Sequence, residues 1–456
     1  MTAGLKRSIF ILLTLCFLAS CQFDYNGIWG PQPGDSGSDR NSESQHDNRD
    51  DEPQKKPLVV TENPQTENAD FQQKKPTVVM ISIDGFRADY LDRYQPPTLL
   101  AWAREGVRAD GLVPSFPSLT FPNHVTLVTG RRPGNHGIVG NFFYDEKLKE
   151  HYAMTTGDGE DQGYWYRGEP LWTVAEKNQM LAATFFWVGS QSRIGGIDPT
   201  YMAHYNGDVE NKTRVETVIK WLKLPEVRRP HFISLYFSDV DSMGHKYGPD
   251  AEETKNAVLS IDRELAVLKK AIEEMKRPVQ VILVSDHGMK NVEKTVDLSS
   301  IEILKQFENS GKGAVTYFYS DDSAAIETAY QEIKNLPGEF AVYKGDNLPA
   351  RWQMNDSDRR GDIVVVGNPG VYIGFELFQS MAVGTSNKAT HGWDPVGVPE
   401  LNGLFIASGS MFKRGQRIRA FDNVHVYPLV LNILGLQSAE YYDGDLRVLK
   451  PILKKR

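Results

Sequence analysis

Three carboxylates and three imidazoles stand where apolar runs of this chain end. Asp84 follows Thr77–Ile83 (TVVMISI), and Asp286 and His287 close Val279–Ser285 (VQVILVS). Asp241 and His245 lie four to eight residues past His231–Phe237 (HFISLYF), and His391 sits in THGWD beyond Phe375. Imidazole nitrogen with carboxylate oxygen is a donor set suited to Zn²⁺, and six ligands exceed what one tetrahedral ion takes. Two ions sharing the six, with a further oxygen from Thr120, would be filled. Taken singly these residues have plainer readings. An aspartate at a strand end caps a helix, and Asp-x-x-x-His in a loop makes hydrogen bonds. Their assembly at one edge of a sheet is what points to metal chemistry.

Thr120 lies in PSFPSLTFPNHVTLVTGRRPGNHGIVGN, Pro114 to Asn141. Pro122 suits the first turn of a helix and Gly130 its left-handed stop, so Thr120 falls at or just before a helix N-terminus. Free N–H groups and the positive end of the dipole make that a place for an anion. A threonine there is ordinarily a cap. Beside a bound Zn²⁺ its hydroxyl would instead become an alkoxide nucleophile.

The elements that must position these groups read as alternating strands and helices. Thr77–Ile83, Ala182–Val188, His231–Phe237 and Val279–Ser285 are continuous apolar runs of strands covered on both faces. Later strands are expected at 363–366, 371–375 and 404–407, and helices at 90–105, 170–177, 215–222, 251–276 and 426–434. The pattern predicts an α/β fold, a mostly parallel central sheet flanked by helices on both faces, as a single catalytic domain over 76–450. Such sheets bind ligands beyond the carboxyl ends of their strands. The 456 residues suffice for a large core, and a net charge of −8 argues against a stable nucleic-acid partner. Oligomeric state has no signature in the sequence.

Residues 1–20 read as a leader. Lys6 and Arg7 precede an apolar run, Ile9–Leu18, too short to span a bilayer as a mature helix. It ends Leu18-Ala19-Ser20-Cys21, which resembles a bacterial lipobox, so Cys21 is the expected lipid anchor. Residues 21–75 are polar and turn-rich and read as a disordered tether. Gln22 after the cysteine leans toward an outer membrane. The expectation is an exported, membrane-anchored lipoprotein facing the periplasm or the cell surface. Cys16 and Cys21 are the only cysteines, so the mature chain would form no internal disulfide.

Further motifs accompany the ligands: Asp84-Gly85-Phe86-Arg87, Thr120-Phe121-Pro122-Asn123-His124, Pro133-x-x-His136-Gly137-Ile138, Asp241-Ser242-x-Gly244-His245-x-x-Gly248-Pro249, Ser285-Asp286-His287-Gly288-Met289 and Thr390-His391-Gly392. With Glu169–Trp172, Phe185–Ser190 and Asn423–Pro428 they extend from Pro76 to Leu446. This set resembles the nucleotide pyrophosphatase/phosphodiesterase family (type I phosphodiesterase) of the alkaline phosphatase superfamily. The resemblance implies an alkaline-phosphatase-like fold and two zinc ions. Asp241, His245 and His391 would hold one; Asp84, Asp286, His287 and the Thr120 oxygen would hold the other. It also implies Thr120 as nucleophile, a phospho-threonine intermediate, and Asn141 as amide donor to a phosphoryl oxygen. Phe121 and Tyr236 would sandwich a nucleobase. Arg193 reads as a solvated loop arginine that could reach a terminal phosphate, and His124, His136 and His425 as packing or supporting residues. The implied function is a metal-dependent phosphodiesterase or nucleotide pyrophosphatase acting on a small-molecule ester. The alternatives are a phosphomonoesterase or a lipid-headgroup (choline phosphodiester) phosphodiesterase of the same superfamily, or a surface lipoprotein that only captures phosphorylated ligands.

Overall fold

Thr77–Ile83 is buried at every position and forms the centre of a nine-stranded sheet. The computed structural model describes residues 57–63, 66–154, 162–310, 313–354, 358–375 and 387–455. The expected leader and the tether up to residue 56 lie outside the described residues. The strand order is 60–62, 201–203, 182–185, 232–237, 77–83, 279–284, 405–408, 107–109, 416–418. The five strands from 201–203 to 279–284 are mutually parallel, so their carboxyl ends share one edge. Phe405–Ser408 runs antiparallel to both of its neighbours, and 60–62 runs antiparallel to 201–203.

Alternation along each strand sends neighbouring side chains to opposite faces. Val78 and Met80 pack into one core with Val125 and Val128 of the helix Thr120–Thr129, Trp172 of Leu171–Lys177 and Val430 of Val426–Leu434. Helices Pro97–Glu105 and Asn211–Leu222 each pack against Glu252–Glu274 to form a second layer. Leu58–Tyr205 with Glu210–Arg456 make one compact unit. Among the described residues no helix is long and apolar enough to cross a membrane.

Several expectations are corrected. The Ile363–Gly367 run does not join the central sheet. It lies in a four-stranded antiparallel sheet with 308–310, 315–319 and 340–344. Val364 and Val366 face the main core, while Ile363 and Val365 pack with Ala329 and Ile333 of the helix Ser323–Asn335. Both faces are covered, so the run reads like a parallel core strand. Val371–Gly374 pairs with Lys294–Asp297 instead. The helix expected at 90–105 is two helices, because Gln95 is left-handed and Pro96 and Pro97 follow. The strand at 182–188 ends at Phe185, and Phe186 turns with φ 64°. Order also begins before Pro76: Val60 pairs with Ala203, and the buried Asn68 carboxamide bonds Glu226 O, Arg229 O and Leu181 N. A segment tied down by backbone pairing and a polar side chain leaves no apolar signature.

Candidate active site

All six expected ligands meet at the carboxyl edge of the parallel strands. Asp84, Asp286 and His287 are buried directly past their strands. Asp241 and His245 are not in a loop: they sit one turn apart on the helix Asp239–Tyr247, which brings i and i+4 onto one face. His391 follows the short strand Ala389–Thr390, which pairs with Lys290–Asn291 just beyond His287. That pairing stacks the His287 and His391 rings with centroids 3.5 Å apart.

His287 Nε2 is the hub. It lies 3.0 Å from Asp286 Oδ2, 3.4 Å from Asp84 Oδ1 and 3.3 Å from Thr120 Oγ1. On the other side His245 Nε2 is 3.1 Å from His391 Nε2 and 3.4 Å from Asp241 Oδ2, and His391 Nε2 is 3.6 Å from Asp241 Oδ1. Two groups offer converging ligand atoms: Asp84, Asp286 and His287, and Asp241, His287 and His391. The expected partition differs in one respect, since His287 reaches both groups and His245 joins the second through Asp241 and His391.

The surroundings prepare these residues as ligands. His245 Nδ1 donates to Ala389 O, His391 Nδ1 to Ser118 O and His287 Nδ1 to Gly288 O, at 2.8, 2.9 and 2.8 Å. Each bond puts the proton on Nδ1 and leaves the Nε2 lone pair facing the cluster. Asp84 Oδ1, Asp241 Oδ1 and Asp286 Oδ2 are buried without a hydrogen bond, which is costly unless a cation meets them. Burial, then the Asp286 and Asp241 charges, push the Asp84 carboxyl well above its usual range. Burial also pushes Asp286 up, but His287 and His124 outweigh it and hold that carboxylate well down. Burial, then His287 and His245, keep His391 neutral, as a metal ligand must be. Crowded buried carboxylates with converging imidazole Nε2 atoms fit divalent cations.

Gly85 lets these segments approach. Its φ is +65°, and a Cβ there would lie 2.8 Å from Asp241 Cα. Thr120 is the first residue of its helix, while Leu119 is the cap and provides no side-chain bond. The Thr120 hydroxyl is therefore not a cap, and it faces His287. Asn141 Oδ1 accepts from Phe121 N at 3.0 Å, so the carboxamide is oriented at the helix N-terminus, and among the described residues its Nδ2 bonds nothing. The approach to Thr120 is braced twice. Asn123 Nδ2 donates to Pro117 O and Leu119 O, and the Ser118 hydroxyl donates to Trp393 O and accepts from Gly392 N.

The aromatic pair comes apart. Phe121, 8% exposed, lies edge-on to Tyr152. Tyr236 is also 8% exposed, and its hydroxyl donates to Asp84 Oδ2 at 2.6 Å. Tyr236 lies in the strand Phe232–Phe237, as its place in the expected run His231–Phe237 implies, and its hydroxyl is held beneath Asp84 and not on an open stacking face. The aromatic that sequence reasoning missed is Tyr205, two residues past Tyr201–Ala203 at the same edge, 50% exposed and packed against Phe186. Its only signal was an aromatic just beyond a strand end. Arg193 is exposed and pairs with Asp198 at 3.4 Å. His136 is buried against Thr126 and Pro122, and burial lowers its pKa to about 3. His425 accepts from Asp445 N.

The model of the type I phosphodiesterase / nucleotide pyrophosphatase family matches residues 78–394. An uncharacterized pyrophosphatase/phosphodiesterase of Schizosaccharomyces pombe is 32% identical over 394 residues, which cover 83% of this chain and 81% of that protein. Ectonucleotide pyrophosphatase/phosphodiesterase family member 1 of Mus musculus is 30% identical over 85% of this chain, but the match spans only 43% of its length. The solved structure of murine ectonucleotide pyrophosphatase / phosphodiesterase 5 superposes with a TM-score of 0.76 at 26% identity, covering 83% of this chain and all of that one. An inactive variant of the same murine protein, solved in complex with AMP, gives a TM-score of 0.77 at 26% identity over the same shares. These neighbours share the alkaline-phosphatase-like arrangement expected from the motifs. The chain belongs to the type I phosphodiesterase / nucleotide pyrophosphatase family, and with it to the phosphoric diester hydrolases.

Proposed function

We propose that the protein is a metal-dependent phosphodiesterase that hydrolyses nucleotide-type phosphodiester or pyrophosphate bonds through Thr120. The observation that carries this reading is the Thr120 hydroxyl at a helix N-terminus, 3.3 Å from His287 Nε2, where both ligand groups meet. Zinc suits the donor set: Asp241, His245 and His391 would hold one ion, and Asp84, Asp286, His287 and the Thr120 oxygen the other. Bound there, the ions lower the pKa of the hydroxyl and offset the charge of the phosphoryl group. Thr120 Oγ attacks phosphorus in line, the bond to the leaving oxygen breaks with its electron pair, and phospho-threonine forms as the alcohol or nucleotide departs. Asn141 Nδ2 and the Thr120 N–H hold a phosphoryl oxygen during the transfer. Water then attacks the same phosphorus, and Thr120 regains its proton.

Nucleotide recognition is supported by the AMP bound to the murine relative and by the aromatic surfaces of Phe121 and the exposed Tyr205. We further propose that Cys21 carries a lipid and holds the exported domain at a membrane, probed by Cys21→Ser, which should release the protein into the soluble fraction.

The test is a panel of nitrophenyl esters of a nucleotide, of phosphate and of phosphocholine, each with and without chelator. Chelator-sensitive turnover favouring the nucleotide ester is the expected result. Preference for phosphate or for phosphocholine would select the monoesterase or the lipid-headgroup reading, and no turnover on any ester would remove the enzyme. Thr120→Ala should lose roughly a thousandfold or more in turnover while keeping its melting temperature. Near-full turnover in that variant would remove the proposed nucleophile.

A further inference from the structure

Beneath one of the two ligand groups lies a layer of three residues: Ser82, His124 and Tyr236. Ser82 and Tyr236 are partners across the paired strands 77–83 and 232–237, and His124 descends from the first turns of the Thr120–Thr129 helix. Tyr236 Oη donates to Asp84 Oδ2 at 2.6 Å, which leaves Oδ1 as the oxygen turned toward His287. His124 Nδ1 is 2.9 Å from Thr120 O and 3.3 Å from Asp286 Oδ2, both acceptors, so the proton sits on Nδ1. His124 Nε2 therefore accepts from the Ser82 hydroxyl at 2.8 Å. The Tyr236 ring stands edge-on to the His124 ring at 5.2 Å, and Trp187 stands edge-on to His124 at the same separation. Phenol and imidazole thus pack at a fixed angle, the phenol bonded to Asp84 and the imidazole lying 3.3 Å from Asp286 Oδ2.

The second group is anchored differently. His245 and His391 are oriented by the backbone carbonyls of Ala389 and Ser118, without this layer. We infer that Tyr236 is a positioning residue for the Asp84–Asp286–His287 metal position alone, its hydroxyl holding Asp84 in the ligating orientation. The inference rests on the metal-dependent reading above. Its physical basis is that a hydrogen bond behind a ligand fixes the ligand's direction, and its loss typically weakens metal binding about 10–100-fold. Tyr236→Phe removes one oxygen and keeps the ring against His124.

The experiment titrates zinc into the metal-free full chain against a competing chromophoric chelator, for wild type, Tyr236→Phe, Ser82→Ala and His245→Ala. Wild type should take up two equivalents. Tyr236→Phe should bind one of them about tenfold or more weakly and the other unchanged, with the metal-free melting temperature retained. His245→Ala should weaken the complementary equivalent and leave the first unchanged. Wild-type binding of both equivalents by Tyr236→Phe would overturn the inference, as would equal weakening of both together with a lower melting temperature. Should Tyr236→Phe fail to fold, Ser82→Ala tests the same layer through His124: selective weakening supports it and undiminished binding overturns it. A wild-type chain that takes up no zinc would instead remove the metal reading itself, and this inference with it.

Discussion

Replacing Gly85 with alanine tests whether the ligand geometry depends on close backbone approach. The residue has φ +65°, and an added Cβ would lie 2.8 Å from Asp241 Cα and 2.9 Å from both Asp241 Cβ and Oδ1. Holding an alanine in the left-handed region costs about 1–2 kcal/mol. Carbon atoms rest about 3.5–4.0 Å apart, so Asp241 and its helix must withdraw by roughly half an ångström or more. Overpacking of that kind costs about 1–3 kcal/mol, for a combined loss of about 2–5 kcal/mol. Gly397→Ala supplies the control, since its φ is +76° and nothing lies within 4 Å of the added Cβ; it should cost only the left-handed portion. The catalytic effect should be of similar size, because a displacement of about 1 Å lowers turnover about a hundredfold, or about 2.7 kcal/mol. The assay is the denaturant midpoint of both variants, with kcat/KM on the nucleotide ester. The reasoning fails if Gly85→Ala is no less stable than Gly397→Ala and also turns over like wild type.

Asn141→Ala should lower kcat by about 10²–10³ through the missing amide donor while zinc uptake stays intact; loss of zinc together with turnover would refute the donor role. Burial raises the Glu176 carboxyl to about 7, although Ala182 N and Thr200 N hydrogen-bond to it. The folded chain thus holds this proton more tightly than the unfolded chain. Its contribution is full in acid and lost as pH rises through the interval up to about 7. Glu176→Gln keeps the acceptor and should exceed wild type at pH 8 by on the order of 1–3 kcal/mol, with little difference at pH 4. Parallel stability curves for the two proteins would contradict this. Chelation should lower the melting temperature and zinc should restore it, since ligand at 100 times Kd adds about 2.7 kcal/mol per site. Asp84→Asn should blunt that response, and a melting temperature indifferent to chelator would count against a structural ion.

Five of the six candidate ligands were legible because they follow strands buried on both faces, and such strands write themselves as unbroken apolar runs; His391 follows only the two-residue strand Ala389–Thr390. What covers a run is not written in it. Ile363–Gly367 is a buried, β-branched run like Val279–Val284, yet its faces meet a helix of a smaller sheet and the main core. Thr120 could be placed by Pro122 and Gly130, but only the structure shows that Leu119 takes the cap position and that the Thr120 hydroxyl faces His287. The sequence places Tyr236 near the end of its strand, but not the direction of its hydroxyl, which is drawn under Asp84. The Val60–Glu62 edge strand left no trace because its partner is backbone.

Ser118 has a consequence for how the site behaves when empty. Its carbonyl receives His391 Nδ1–H and its hydroxyl links Gly392 N with Trp393 O, two residues before Thr120. The Thr120 hydroxyl and the His391 imidazole are thus two arms of one hydrogen-bonded bracket, and their spacing is set by protein alone. Ions would dock into a cradle already built, so stripping and reloading them becomes a matter of exchange and not of refolding. A chelated sample given zinc should recover as fast as the metal arrives, and different divalent ions would meet the same rigid gauge.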